Sequence, residues 1–385
     1  MDFDLTSEQE LIRDTVRSFA RERVAPVAEE LDRQARFPVE LVREMAGLGL
    51  MGIPIDERYG GAGGDTVSYA IAIEELTRID SSVAITVAAH TSLGTMPIYL
   101  FGSEEQKERW LPDLASGRRL AAFGLTEPEA GSDAGATRTR AELDSAAGQW
   151  TINGSKAFIT NSGTDITSVV TVTARTGPQE ISAIMVPSGT PGFIVEPAYD
   201  KLGWHISDTH GLTFEDCRVP EGNLLGTRGK GFAQFLAVLD DGRIAISALA
   251  VGLAQACLEH SVRYAKQRHT FGVPIGARQA VAFSLSDLAV SVEAARLLTY
   301  KAAALKDAGR STAEIKQAAA IAKLYSSEAA VTATRVATQV FGGNGFMEEF
   351  PVARFYRDAK ILEIGEGTSE VQRMLIARGL GLPVA

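Results

Sequence analysis

Ile12, Val16, Phe19, Ala20, Val24, Val27 and Leu31 recur at steps of three and four along a polar background, the stripe of an amphipathic helix. Ser7 and Glu10, just ahead of it, read as a capping box. Pro38 opens a second helix that ends at the glycines near Gly47, and 65–79 and 82–100 carry the pattern of two more. The period changes near Leu120. Short β-branched and aromatic runs at 150–152, 157–160, 169–173, 181–186 and 193–195 are separated by turn residues, which predicts a compact antiparallel sheet or barrel to about Val219. Asn153-Gly154, between the first two runs, predicts a tight hairpin turn. Beyond the glycine-rich connector 226–231, Val281, Leu285, Leu288, Val292 and Ala295 return to helical spacing. Gly309 stops that helix, Ser311 with Glu314 caps the next, which runs to Gly342-Gly343, and a further helix follows Glu366. The pattern predicts an α+β chain: an N-terminal α-helical domain over 1–119, a middle antiparallel β-barrel-like domain over 120–225, and a C-terminal four-helix bundle over 226–385.

Composition narrows the classes of partner. The 385 residues are 45% hydrophobic and 22% charged, as in a globular protein, and the net charge of −10 argues against nucleic acid or an anionic membrane as the main partner. The most apolar window, Val83 to Phe101, is interrupted by His90, Gly94 and Pro97, so it is too short and too polar to predict a membrane span. The N-terminus MDFDLTSEQE is acidic and has no apolar segment of a secretory signal. With only Cys217 and Cys257 there is no disulfide framework to expect, and a cytoplasmic location is the expectation. The five histidines do not cluster and no metal site is expected. Gly47-Leu48-Gly49-Leu50-Met51-Gly52 matches GxGxxG, but a helix precedes it where a dinucleotide fold needs a strand.

Several stretches could carry chemistry. Glu366 lies between two glycines where a loop empties into a helix, with Ser369 and Gln372 spaced as a capping box. LTEPEAGSDAG (125–135) places small hydroxyls and glycines at the seam between helical and β sections, suited to a planar, acceptor-rich ligand and equally to a plain linker. In KAFITN (156–161) strand alternation puts Phe158 and Thr160 on one face, an aromatic plate beside a donor. RHTFG (268–272) and QVFGGNGF (339–346) sit at helix ends, where a cation beside an aromatic can hold a pyrophosphate or merely answer the helix dipole.

Taken in order, LTEPEAGSDAG, KAFITN, RHTFG, QVFGGNGF, RDAK (357–360) and EGTSEVQR (366–373) resemble the acyl-CoA dehydrogenase family over essentially the whole chain. The resemblance implies a homotetramer with one FAD per subunit, acting on the Cα–Cβ bond of an acyl-CoA thioester and passing electrons to an electron-transfer flavoprotein. It implies Glu366 as the base that removes the α-proton, its backbone N–H helping to polarise the thioester carbonyl. Some family members carry the base on a neighbouring helix, at the residue before Arg243; here that residue is Gly242. It further implies a flavin site at Phe123, Leu125, Thr126, Phe158 and Thr160. The pyrophosphate and adenosine half would be held by Arg268, Phe271, Gln339, Gly343, Thr368 and Glu370, partly across a subunit boundary. Ser132, Asp240 and Arg243 would contact substrate. Phe158 stands where a tryptophan is common, and Gly365 where many short- and medium-chain members have tyrosine. A short- or branched-chain acyl-CoA is the expected substrate; a flavin-dependent oxidase or monooxygenase on the same scaffold and a non-catalytic helical scaffold are the alternatives.

Overall fold

The computed structural model describes residues 4–384. Seven helices open the chain: α1 (Ser7–Phe19), α2 (Ala28–Gln34), α3 (Val39–Gly47), α4 (Thr66–Thr77), α5 (Ser81–Ala88), α6 (Met96–Phe101) and α7 (Glu104–Ala115). The first cap falls one residue earlier than the sequence predicts. Extended Thr6 accepts from the Gln9 amide and Gln9 answers the Thr6 amide, because the N-cap must stand outside the helix while Ser7 already lies in it. A π-helical turn at Ala89–Thr95 fuses α5 and α6 into one run, Ser81–Phe101, whose apolar window is 83% buried inside the protein. It is a core helix. His90 within it accepts from the Ala121 N–H at Nδ1 (3.1 Å) and bonds the Leu114 carbonyl through Nε2 (2.9 Å); burial holds its pKa down to about 4, so it stays neutral. Gly94 lets this run touch the next strand, since a Cβ there would lie 2.3 Å from the Ala121 carbonyl oxygen.

Eight strands form the middle sheet: β1 (Leu120–Gly124), β2 (Arg140–Asp144), β3 (Gln149–Thr160), β4 (Thr167–Gly177), β5 (Glu180–Pro187), β6 (Phe193–Ala198), β7 (Thr209–Pro220) and β8 (Leu224–Leu225). The order is β6-β7-β3-β2-β4-β5-β8, largely antiparallel, with β1 added parallel to β4 (Phe123 opposite Thr171). Trp150, Ile152, Val170, Val172, Ile184, Leu212 and Phe214 fill its interior. No hairpin forms at Asn153-Gly154. β3 runs unbroken and the dipeptide is a bulge: the register against β7 slips between Ile152 and Gly154, and Asn153 exchanges side-chain bonds with Asp216. Gly154 (φ +145°) supplies its conformational freedom to a close crossing, because a Cβ there would lie 2.6 Å from Thr139 Cα.

The last section contains α8 (Gly231–Gln267), α9 (Gln279–Asp307), α10 (Thr312–Phe341), α11 (Pro351–Ala359) and α12 (Ser369–Gly379). The Ser311–Glu314 capping box forms as expected. α11, a single amphipathic segment, lies between the helices that the pattern predicts. α8 is buried continuously from Asp240 to Ala254 because α4, α9 and α10 pack around it; from Ile244 on, its sequence is apolar on all sides apart from Ser247, while Asp240, Asp241 and Arg243 are buried charges. α11 ties the three sections together: Asp358 accepts from the Trp204 amide (2.7 Å) and from Ser81 Oγ (2.7 Å), while Trp204 Nε1 donates to the same Ser81 oxygen (3.1 Å). Burial raises the Asp358 carboxyl to about 6.

Gly154→Ala should lower stability by roughly 1–3 kcal/mol, since it adds both a left-handed strain and a backbone clash. Thermal denaturation measures it; a Tm unchanged from wild type would show that the bulge relaxes freely.

Candidate active site

α11 winds out through a short turn at Lys360–Glu363 and the chain then reverses into α12. Glu366 sits in that reversal at φ 57°, a left-handed conformation unusual for a non-glycine residue, followed by Gly367 at φ 92°. The cap of α12 is Thr368, whose hydroxyl accepts from Val371 (3.3 Å), in place of the expected Ser369. Gln372 folds back instead: its Nε2 donates to the Glu366 carbonyl (3.2 Å) and the Gly367 carbonyl (2.9 Å). Buried Lys323 of α10 donates from Nζ to the same Gly367 oxygen at 2.7 Å. These bonds hold the strained main chain.

They also aim the side chain. The Glu366 carboxylate lies against α8 at Gly242, where a Cβ would come within 2.3 Å of Oε2 and 3.1 Å of Oε1. Next along α8, buried Arg243 pairs with Asp240 (2.5 Å) and leaves its Nε without a partner. Glu366 as a residue is half-buried, yet Oε2 is sealed from solvent and accepts no hydrogen bond. Burial raises its pKa from the ordinary carboxylate range to about 7, with the Arg243 and Lys323 charges opposing. A carboxylate with that proton affinity, desolvated and unengaged, is matched to taking a weakly acidic proton at neutral pH.

A second group of predicted residues gathers around β1. Phe123 stacks on Phe235 of α8 (centroids 3.8 Å apart), and Leu125 and Thr126 continue into the seam loop. A wholly buried ion pair props that loop. Lys156 Nζ donates to Glu127 (2.7 Å), to the Leu125 carbonyl (3.2 Å), and to the Thr137 and Thr173 hydroxyls, while the Ala157 amide donates to the Thr126 carbonyl (2.9 Å). Burial works to raise the Glu127 carboxyl, but Lys156 and the surrounding donors hold it down to about 2; burial lowers Lys156 to about 8 against the pull of Glu127. Phe158 and Thr160 both turn away from the sheet interior with Ile159 buried between them. Phe158 does so from a left-handed bulge (φ 62°), leaving its ring 65% exposed beside Tyr199. An open aromatic plate next to a hydroxyl and a propped loop suits a flavin ring.

Arg268, Phe271, Gln339 and Gly343 lie elsewhere, at the ends of α8 and α10. Tyr264, stacked on Phe341 and bonded by Asn344 Nδ2 (3.0 Å), joins those ends. All four predicted residues face solvent, Phe271 with 94% of its surface open. Gln339 stands roughly 24 Å along α10 from Lys323 at 1.5 Å per residue, so this surface is separate from the turn at Glu366. Glu370 is exposed on α12, and Ser132 is exposed in the loop ahead of β2. Lys323, the Glu127–Lys156 pair and the steric role of Gly242 escape the sequence reading. A signal for Lys323 exists: it is a lone charge on a stripe of small residues, Ala319, Ser326, Ser327 and Ala330, at helical spacing.

Sequence profiles of the acyl-CoA dehydrogenase N-terminal, middle and C-terminal domains match residues 6–118, 122–217 and 229–381 in turn. The chain belongs to the acyl-CoA dehydrogenase family. An acyl-CoA dehydrogenase of Bacillus subtilis (strain 168) is 48% identical over 378 residues, 98% of each chain. Butyryl-CoA dehydrogenase from Megasphaera elsdenii superposes with a TM-score of 0.95 at 44% identity, covering 99% of this chain and all of that one. An acyl-CoA dehydrogenase complexed with FAD from Bacillus anthracis superposes at 0.91 with 35% identity, covering 99% of this chain and 69% of the other.

Gly242→Ala tests the seating of the carboxylate in this family member. The three atoms nearest the added methyl all belong to the carboxylate end of the Glu366 side chain, which can turn aside, and alanine is the better helix former, so Tm should hold. The displaced base should slow turnover of an acyl-CoA about 10²-fold. Wild-type turnover would show that the carboxylate is not held over Gly242.

Proposed function

We propose that this chain is an FAD-dependent acyl-CoA dehydrogenase in which Glu366 removes the α-proton of a short- or branched-chain acyl-CoA. The observation that carries the reading is the sealed, unpartnered Glu366 carboxylate over Gly242, poised near pH 7. Arg243 and Asp240, paired beside it, would orient the thioester substrate together with Ser132. The Glu366 amide makes no hydrogen bond within the chain among the described residues, which leaves it to polarise the carbonyl. Phe123, Leu125, Thr126, Phe158 and Thr160 would hold FAD, which when bound would supply the acceptor for the β-hydride. At Gly365 the nearest atom to a Cβ is the Ile361 carbonyl oxygen at 3.5 Å, so there is room beside the base for a branched or bulkier acyl group.

The wider assembly follows the same reading. Arg268, Phe271, Gln339 and Gly343, with Thr368 and Glu370, would complete the pyrophosphate and adenosine site across a subunit boundary in a homotetramer. Open apolar side chains at Phe271, Phe283, Val290 and Phe346 support such an interface. Electron-transfer flavoprotein is the acceptor the reading implies, and the buried free cysteines Cys217 and Cys257 suit the reducing cytoplasm. The proposed division at 1–119, 120–225 and 226–385 draws support from β1 starting at Leu120 and β8 ending at Leu225.

Anaerobic bleaching of the flavin by a panel of acyl-CoAs tests the proposal. The wild type should bleach with butyryl-CoA or 2-methyl-branched acyl-CoAs, and Glu366→Gln should bind FAD normally but bleach about 10²–10⁴-fold more slowly. Bleaching by Glu366→Gln at the wild-type rate would overturn the assignment of the base.

A further inference from the structure

Lys323 has no part in the reading above, yet its placement is costly. It is 0% exposed, in the middle of α10, on a face otherwise lined by alanines and serines. A buried ammonium carries three donors, and burying one without compensation is strongly unfavourable. Its single hydrogen bond goes to the carbonyl of Gly367, the residue that follows the base, and it forms no ion pair within 4 Å among the described residues. Three donated bonds converge on the Glu366–Gly367 carbonyls, one from Lys323 and two from Gln372, which is itself fully buried. A charge in that place is best explained by a carboxylate that must ionise nearby.

We propose that Lys323 is a positioning residue for the dehydrogenation, clamping the left-handed Glu366–Gly367 main chain and supplying the buried positive charge that steadies the ionised base. The proposal rests on Glu366 being that base. The charged and titratable groups that act on or feel Glu366 are Arg243 of α8, Lys323 of α10 and Tyr69 of α4, while Lys323 also feels Arg243 and, from the flanking segments, Glu363 and Glu370. Of the two cations that act on Glu366, Arg243 is already bonded to Asp240, whereas Lys323 has no carboxylate within ion-pair distance among the described residues. Burial lowers Lys323 to about 8 while Glu366 pulls it upward, the reciprocal of its effect on the base.

The test is the pH dependence of anaerobic flavin reduction by butyryl-CoA in holoenzyme carrying Lys323→Met or Lys323→Arg. Removing the cation disfavours the carboxylate, so Lys323→Met should move the midpoint upward by about one pH unit or more and slow the plateau at least about tenfold. Lys323→Arg should keep the midpoint near that of wild type. A Lys323→Met holoenzyme with unchanged midpoint and rate would overturn the proposal. Thermal unfolding of the Lys323→Met, Glu366→Gln and double variants covers the case in which the charge removal impairs folding. The lysine should be more dispensable once the carboxylate is gone, so the double variant should be destabilised less than the two single effects add to. Equal loss in both backgrounds would make Lys323 merely structural. Should Glu366→Gln itself reduce flavin normally, the base assignment fails first, and the two failures are thereby distinguished.

Discussion

A carboxylate in water is a poor base for a proton next to a thioester carbonyl, and everything at this site follows from keeping one carboxylate out of water. Glu366 meets that requirement by resting on the bare backbone of α8 at Gly242, with Oε2 closed to solvent and bound to nothing. The proton affinity this produces, near 7, leaves the group ionised in a useful fraction at neutral pH while making it a far stronger base than an exposed glutamate. A side chain at 242 would remove the seat, and a hydrogen bond to Oε2 would weaken the base. Glycine on one side and an unpartnered oxygen on the other are two parts of one constraint.

Holding the carboxylate there has a structural cost that is met elsewhere. A non-glycine residue at φ 57° carries strain of about 1–3 kcal/mol. It is offset by the convergence of Lys323 and Gln372 on the two carbonyls that follow from it. α8 can present Gly242 in a fixed place because it is enclosed by α4, α9 and α10, and the turn before Glu366 is fixed because α11 is bonded through Asp358 to Trp204 and Ser81. In the middle domain, the buried Glu127–Lys156 pair gives the loop at Leu125 and Thr126 a rigid support that small loop residues could not supply alone. The proposed flavin side and the proposed base side are thus each braced by a buried lysine bonded to a main-chain carbonyl.

Periodicity makes the three-part architecture legible because helices and strands bury faces at different spacings, and the stripe of α9 stays buried at Leu285, Leu288, Val292 and Ala295. Local signals fare worse where tertiary contact overrides them. Asn153-Gly154 has the chemistry of a hairpin turn, but β3 continues through it because Thr139 crosses too closely for any side chain at 154. The capping residues at α1 and α12 slip by one position, since serine and threonine in succession offer equivalent oxygens and only the backbone conformation chooses between them. Glu366 stands out in the sequence because glycines flank it. Lys156 does not, and Lys323 shows only as a lone charge among small residues; nothing local says which carbonyl each will meet, 31 residues away for Lys156 and 44 for Lys323.

Exchange of the α-protons of butyryl-CoA with D₂O, catalysed by holoenzyme whose flavin has first been chemically reduced, isolates proton removal from hydride transfer. Followed at subsaturating substrate, its pH dependence reports the free enzyme's base. The ionised carboxylate is the active form, so the rate should rise with pH about a midpoint near 7, from about a tenth of the plateau at pH 6 to nine-tenths at pH 8. A rate that is flat between pH 5 and 9, or whose midpoint lies in the ordinary glutamate range, would contradict a desolvated Glu366 as the base.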